Sequence, residues 1–162
     1  MLRLEQEWDR RVESWHSHVT SAAAFEQVLG QLVRLAAPAP ADTCVDLGAG
    51  TGFVTTALAP LVSSVTAVDI SAAMTASLAG RAARDGLRNV STSVCDLRKF
   101  DLPPASADLV VSSYALHHLP DQDKRALVAR VARWLRPGGR LVIADMMFGR
   151  GGSRRDREIL RL

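Results

Sequence analysis

Residues 44 to 55, CVDLGAGTGFVT, put an acid at Asp46 and glycines at Gly48, Gly50 and Gly52 within one short stretch. The apolar residues before the glycines read as a buried strand, and the glycines permit backbone conformations and close approaches that a Cβ would block. The stretch is therefore a strand, a tight turn carrying a carboxylate, and the start of a helix. Turns of this kind hold cofactors, and spacing separates two of them. A dinucleotide turn has glycines at its first, third and sixth positions, the last for close helix-to-strand packing, with the pyrophosphate on the helix N-terminus. Here the sixth position is Phe53, and the third glycine comes two residues after the second. Asp46 adds negative charge beside the turn, which repels a pyrophosphate and suits a ligand with a positive group.

Two more carboxylates follow apolar runs. Asp69 ends VTAVD and Asp96 follows STSVC, while DLVVSSYALHHL carries Ser112, Ser113 and Tyr114 out of another run. An ionised carboxylate only accepts hydrogen bonds, so Asp69 can take two hydroxyl donors from a ribose and Asp96 can take an exocyclic adenine amine. Backbone around Ser113 could hold an amino-acid moiety.

Such residues need a scaffold that brings several strand ends to one edge. Residues 4–18 and 20–36 have helical composition and are closed off by APAPAD at 37–42. Strands are expected at 43–47, 65–69, 90–95, 107–113 and 140–146, and helices at 52–60, 71–84 and 121–135. This alternation predicts an α/β, doubly wound, mostly parallel sheet preceded by an N-terminal helical pair, with ligands at the carboxyl ends of the strands. Ser71 and Asp121 are the expected N-caps. RPGG at 136–139 ends a helix whose inward residues are expected to be Leu127, Val128, Val131 and Leu135.

Composition narrows the function classes. At 162 residues the chain suits one domain with a single core. The net charge of +3 arises at the end, where the last 13 residues hold five arginines against one Asp and one Glu. The neutral body resembles no nucleic-acid footprint. Cys44 and Cys95 lie in apolar runs without metal-ligand spacing, as small buried thiols of a reducing compartment would. The charged N-terminus is no signal peptide, and no run approaches the ~20 apolar residues of a membrane span. A cytoplasmic protein that binds neither nucleic acid nor membrane is expected.

From about residue 40 to 147, in motif order, the chain resembles the class I S-adenosylmethionine-dependent methyltransferases. That resemblance implies a Rossmann-like sheet of order 3-2-1-4-5 lacking the usual strands 6 and 7. It implies S-adenosyl-L-methionine as cofactor, with Gly48, Ala49 and Gly50 under its methionine part and Asp46 helping to hold the ammonium. Asp69 would hold the ribose, Ile70 and Met74 would pack on the adenosine, and Asp96 would face adenine N6 between Cys95 and Leu97. Ser113 completes the expected contacts. Trp8, Trp15, His16 and His18 lie on N-terminal helices that in relatives cover the cofactor, though amphipathic packing explains them as readily. ALHHLPD recurs in the family as a packing and turn element, which gives His117 and His118 structural roles. No catalytic residue or metal ligand is identified.

The expected layout is one methyltransferase domain over 1–162: a helical cap at 1–38, the cofactor-binding core at 39–147, and a loop with the start of a helix at 148–162. The expected function is methyl transfer to a small-molecule acceptor. The alternatives are a non-catalytic S-adenosylmethionine-binding regulatory module and a nicotinamide-dependent oxidoreductase, the latter disfavoured by Phe53 and Asp46. RLVIADMMF would be an edge strand. The chain is accordingly expected to be a truncated form of a longer enzyme, or to cover that edge with a second copy of itself.

Overall fold

The computed structural model of the chain describes residues 2–21 and 23–145. Its elements run α1 (Leu2–Asp9), α2 (Val12–Ser21), α3 (Ala23–Ala36), β1 (Thr43–Leu47), α4 (Phe53–Leu58), β2 (Ser64–Asp69), α5 (Ala72–Arg84), β3 (Val90–Val94), β4 (Ala107–Ser113), α6 (Asp121–Trp134) and β5 (Leu135–Ala144). The five strands form one parallel sheet ordered β3-β2-β1-β4-β5, the order expected from the motifs.

The central strand explains where the core sits. Side chains alternate across a strand, so β1 sends Cys44 to one face and Val45 and Leu47 to the other. Cys44 joins Val65, Leu109 and Val111 under Leu32 and Ala36 of α3 and Val54 and Leu58 of α4. Val45 and Leu47 join Val68 and Val110 under Leu127, Val131 and Trp134 of α6. Both faces of β1 are thus covered, as parallel sheets require. The β3-to-β4 connection has no helix, and Leu97 and Phe100 from that loop fill the α6 face instead.

Several expectations change in detail. The first of the two N-terminal helices is divided at Arg10–Arg11 into α1 and α2. The division sets Asp9 against α5, where its carboxylate accepts from Ser71 Oγ and Ala73 N. Ser71 is the N-cap of α5, accepting from Met74 N at 3.1 Å. Asp121 is no cap: Pro120 holds the cap position of α6 and Asp121 is the first helical residue, 3.4 Å from Lys124 Nζ. The inward face of α6 is Leu127, Val131 and Trp134, while Val128 is 42% exposed. Leu135 is only partly buried, because α6 passes straight into β5. RPGG lies inside β5 as an irregularity, between the pairs Ala107–Leu135 and Leu109–Arg140.

At the sheet edge β5 is paired with β4 alone among the described residues, and Ile143 is 43% exposed. The strand ends at Ala144, short of the expected 146, with Asp145 outside it; residue 146 and the expected loop and helix start at 148–162 lie outside the described residues. No helix among those described is long and apolar enough to cross a membrane.

Trp134 is the largest fully buried side chain. Its ring meets Phe100 edge to face at 5.5 Å, and its Nε1 donates to Asp101 Oδ1 at 2.7 Å. Trp134→Ala is expected to cost ~3–5 kcal/mol in denaturant unfolding. Val128→Ser is expected to stay within about 0.5 kcal/mol of the parent chain. Equal effects of the two would mean that α6 presents a different face.

Candidate cofactor site

Two glycines shape the turn after β1, and each has a partner that forbids a side chain. Gly48, at φ +76°, stands where a Cβ would come within 2.2 Å of Ala115 Cβ. Gly52, at φ +88°, would place a Cβ 2.0 Å from Leu78 Cδ1, and Leu78 is fully buried in α5. Gly52 therefore provides the close helix packing that a dinucleotide turn assigns to a later glycine. The turn is fastened to β2, since Gly48 N and Ala49 N donate to Val68 O at 2.8 and 3.0 Å.

Asp69, at the end of β2, accepts Gly50 N on Oδ2 at 2.8 Å and Ser71 N on Oδ1 at 2.9 Å. Ile70 N adds a further backbone donor, so these amides leave part of the carboxylate's acceptor capacity of about four positions open. Asp46 is 1% exposed and accepts Thr55 Oγ1 on Oδ2 at 2.6 Å. Burial pushes the Asp46 carboxyl up to about 7 against the opposing Thr55 hydrogen bond, and the neighbouring Asp69 adds to the rise. Burial raises Asp69 as well, offset by its amide donors. Asp96, beyond β3, is held below the usual carboxylate range by Arg98, whose guanidinium and backbone amide bind it.

These carboxylates open into one cavity of about 350 Å³, within the range of small-ligand sites. Gly48, Ala49 and Gly50 line it beside Asp46; Asp69, Ile70 and Met74 line the next stretch, and Asp96 and Leu97 the far end. Ser113 completes the wall. Cys95 is the exception among the residues named from the sequence. Its Sγ lies 3.5 Å from the Asp96 carbonyl and its side chain packs against the core cluster containing Val45, because alternation turns it away when Asp96 faces the cavity. It is also only partly buried, whereas Cys44 is fully buried and its thiol pushed up by burial.

Five aromatic side chains add to the wall. Trp8, Trp15, Phe25, Phe53 and Tyr114 line it. Trp8 and Trp15 meet edge to face at 5.4 Å and Trp15 and Phe25 at 6.2 Å, while Phe25 and Tyr114 lie tilted at 4.9 Å. The two tryptophans thus pack on each other and face the cavity. His16, on α2, has Nδ1 3.3 Å from Thr51 Oγ1; His18 lies on the same helix. Tyr114 has φ +50° and its amide donates to Ala144 O at 2.9 Å, an uncommon backbone state held at the end of β4.

The two histidines part company. His117 Nδ1 is 2.7 Å from Asp145 Oδ1 and its backbone N donates to Asp145 Oδ2 at 3.1 Å, which fixes the turn. His118 lines the cavity, edge-on to Trp8 at 5.3 Å, and burial lowers its pKa. Among the described residues no group of His, Cys, Asp and Glu is arranged to hold a metal.

Comparison with known proteins settles the family. The profile of the family described as "Methyltransferase domain" matches residues 44–139, from the first strand through the RPGG irregularity. The chain belongs to that family. A methyltransferase of Geobacillus kaustophilus, described as uncharacterized, is 31% identical over 99% of this chain and 70% of its own. One from Anoxybacillus flavithermus is 32% identical over 76% of this chain and 54% of its own. The chain therefore spans only about half to 70% of the length of these relatives. Among solved structures, the DhpI–SAM–HEP complex superposes with a TM-score of 0.72 at 27% identity, covering 97% of this chain and 69% of that one.

Sequence reasoning passed over Thr55, Arg98, Phe25 and Asp145. Thr55 had a readable signal, since it stands nine positions after Asp46 on the helix that the turn begins. Asp46 also generates a stability prediction. Its raised pKa means that its stabilising contribution is complete below pH 3.8, the unfolded value, and lost as pH rises through about 7. Asp46→Asn keeps an acceptor for Thr55 and removes that charge. In thermal unfolding of the ligand-free chain at pH 8, it is expected to stabilise by ~1–4 kcal/mol, with the gain vanishing near pH 4. No gain at pH 8 would contradict the buried charge.

Proposed function

We propose that the chain is the cofactor-binding part of an S-adenosylmethionine-dependent methyltransferase that acts on a small-molecule acceptor. The observation that carries this reading is the pairing of two desolvated carboxylates, Asp46 and Asp69, with a glycine turn that leaves acceptor positions unfilled. A ligand with an ammonium at one end and vicinal hydroxyls in the middle fits both. The cofactor, when bound, supplies a sulfonium whose methyl group is open to displacement.

In this reading Asp46 accepts from the ammonium, which also relieves the cost of its burial. Asp69 uses its open acceptor capacity for the ribose hydroxyls. Ile70 and Met74 cover the adenosine, Asp96 and Leu97 meet its base, and backbone at Ser113 borders the methionine part. Gly48, Ala49 and Gly50 keep the backbone close and bare under it. The aromatic side chains of Trp8, Trp15, Phe25 and Tyr114 give the cavity apolar surface that excludes water. Catalysis then consists of proximity and alignment of an acceptor O, N, C or S in line with the breaking carbon–sulfur bond.

Calorimetry with S-adenosylhomocysteine and NADH tests the cofactor. The first is expected to bind, more weakly as pH falls below 7, and the second not to bind. Asp69→Ala is expected to weaken S-adenosylhomocysteine by roughly 10- to 100-fold with the fold retained. Tight NADH binding alone would overturn the reading. Incubation with methyl-labelled cofactor and a metabolite extract tests the transfer: label is expected in a small molecule, and binding without any transfer would favour a regulatory module.

A further inference from the structure

Besides the acids, the cavity wall carries the imidazole of His118. A short helical turn sets its place. Leu116–His118 form a single 3-10 turn with Ala115 at its cap position, closed by His118 N donating to Ala115 O at 3.2 Å. Side chains three apart superpose on such a turn, so His118 stands over Ala115. Ala115 is the residue that a Cβ on Gly48 would strike, and Ser113 lines the cavity at the start of the same loop. The imidazole therefore borders the stretch of wall that meets the methionine part in the reading above, next to the methyl group to be transferred. The ring is held by packing. Trp8 meets it edge-on at 5.3 Å, and His117, itself fixed to Asp145, lies 4.0 Å away at a tilt of 43°. Among the described residues nothing hydrogen-bonds the His118 ring, so its nitrogens are open to a ligand. Partial burial lowers its pKa and His117 adds to the fall, against the opposing charges of Asp145 and of Glu7 on α1. A neutral imidazole has one nitrogen that accepts a proton.

We propose that His118 is the catalytic base of the transfer and that the acceptor is a phenol, an aromatic ring bearing a hydroxyl. The inference rests on the cofactor reading above and names an acceptor class for it. Trp8, Phe25 and Tyr114 give a flat apolar acceptor surface to pack on. Proton affinity then selects the nucleophile. A thiol, with an ordinary pKa of about 8.5, ionises appreciably without help. An ammonium would set positive charge against the positive group of the cofactor. A phenolic hydroxyl, at about 10, stays protonated at neutral pH and is the group for which a nearby imidazole changes the rate. The phenolic oxygen bonds to the methyl carbon as the carbon–sulfur bond breaks, and the electron pair of that bond stays on sulfur. His118 takes the phenolic proton. The residue is exposed, so that proton has a path on to solvent.

The test uses the whole chain, methyl-labelled S-adenosylmethionine and two probes, phenol and 4-nitrophenol. The nitro group spreads the phenolate charge, so the second probe ionises at pH 8 without a base. The parent chain is expected to methylate both. His118→Ala is expected to lose about 100-fold or more in kcat/KM with phenol and less than about tenfold with 4-nitrophenol. Calorimetry is expected to find S-adenosylhomocysteine bound by His118→Ala within about threefold of the parent, which separates a lost base from a damaged cavity. A second readout needs no turnover. In the chain saturated with S-adenosylhomocysteine, the ring-proton resonances of His118 are expected to titrate below the ordinary histidine value and to shift when phenol is added. Equal losses with the two probes in His118→Ala would overturn the role of His118, and so would ring resonances indifferent to phenol. Transfer to neither probe by a chain that binds S-adenosylhomocysteine would overturn the acceptor class. Failure of the parent to bind S-adenosylhomocysteine would remove the cofactor reading itself, and this inference with it.

Discussion

The hydrogen bond from Gly50 N to Asp69 Oδ2 joins the turn after β1 to the end of β2, and the arrangement of the site depends on it. The parallel register pairs Asp46 with Ala67 and Leu47 with Val68, so the glycine turn and Asp69 leave the sheet side by side. With both strand ends fixed, the glycine amide points to the carboxylate and the turn cannot relax outward. Gly48 and Gly52 make this possible from either side, one against Ala115 and the other against Leu78. A side chain at either position would push the turn away from α5 or from the β4 loop. The bond would then be lost together with the site.

Tertiary contacts also decide the roof. The C-terminal residue of α1, Asp9, binds Ser71 and Ala73 at the start of α5, the helix that follows Asp69. The same bond network therefore caps α5 and anchors the segment that carries Trp8 over the cavity. From Trp8 the rings continue through Trp15 and Phe25 to Tyr114. Cofactor floor and aromatic roof are consequently attached to a common helix terminus. This coupling is a reason to treat residues 2–36 as part of the site rather than as a separate cap.

What the sequence revealed follows from how local each signal is. Asp46, Asp69 and Asp96 were legible because each closes an apolar run, and a parallel sheet places such ends along one edge. Thr55 and Arg98, the hydrogen-bond partners of two of these acids, were not, because pairing depends on helix phase and on a rotamer. On α6 the phase also decided the core: Leu127, Val131 and Trp134 share a face that Val128 misses, and RPGG drew attention to a helix end when it interrupts a strand. Cys95 was named for its closeness to Asp96 in the chain, and its side chain packs against the core cluster instead of lining the cavity, as neighbours on an extended segment face opposite ways. Helical composition across Arg10–Arg11 gave no hint of the break that sets Asp9 against α5.

The central claim is that the turn after β1 and the acids ending β2 and β3 form one binding surface for an adenosyl amino acid. A crystal structure of the chain with S-adenosylhomocysteine tests it most directly. The account predicts both ribose hydroxyls on Asp69, the ammonium toward Asp46 and the purine base beside Asp96, with Gly50 N still bonded to Asp69. A ligand lodged elsewhere, or one whose ribose avoids Asp69, would contradict it.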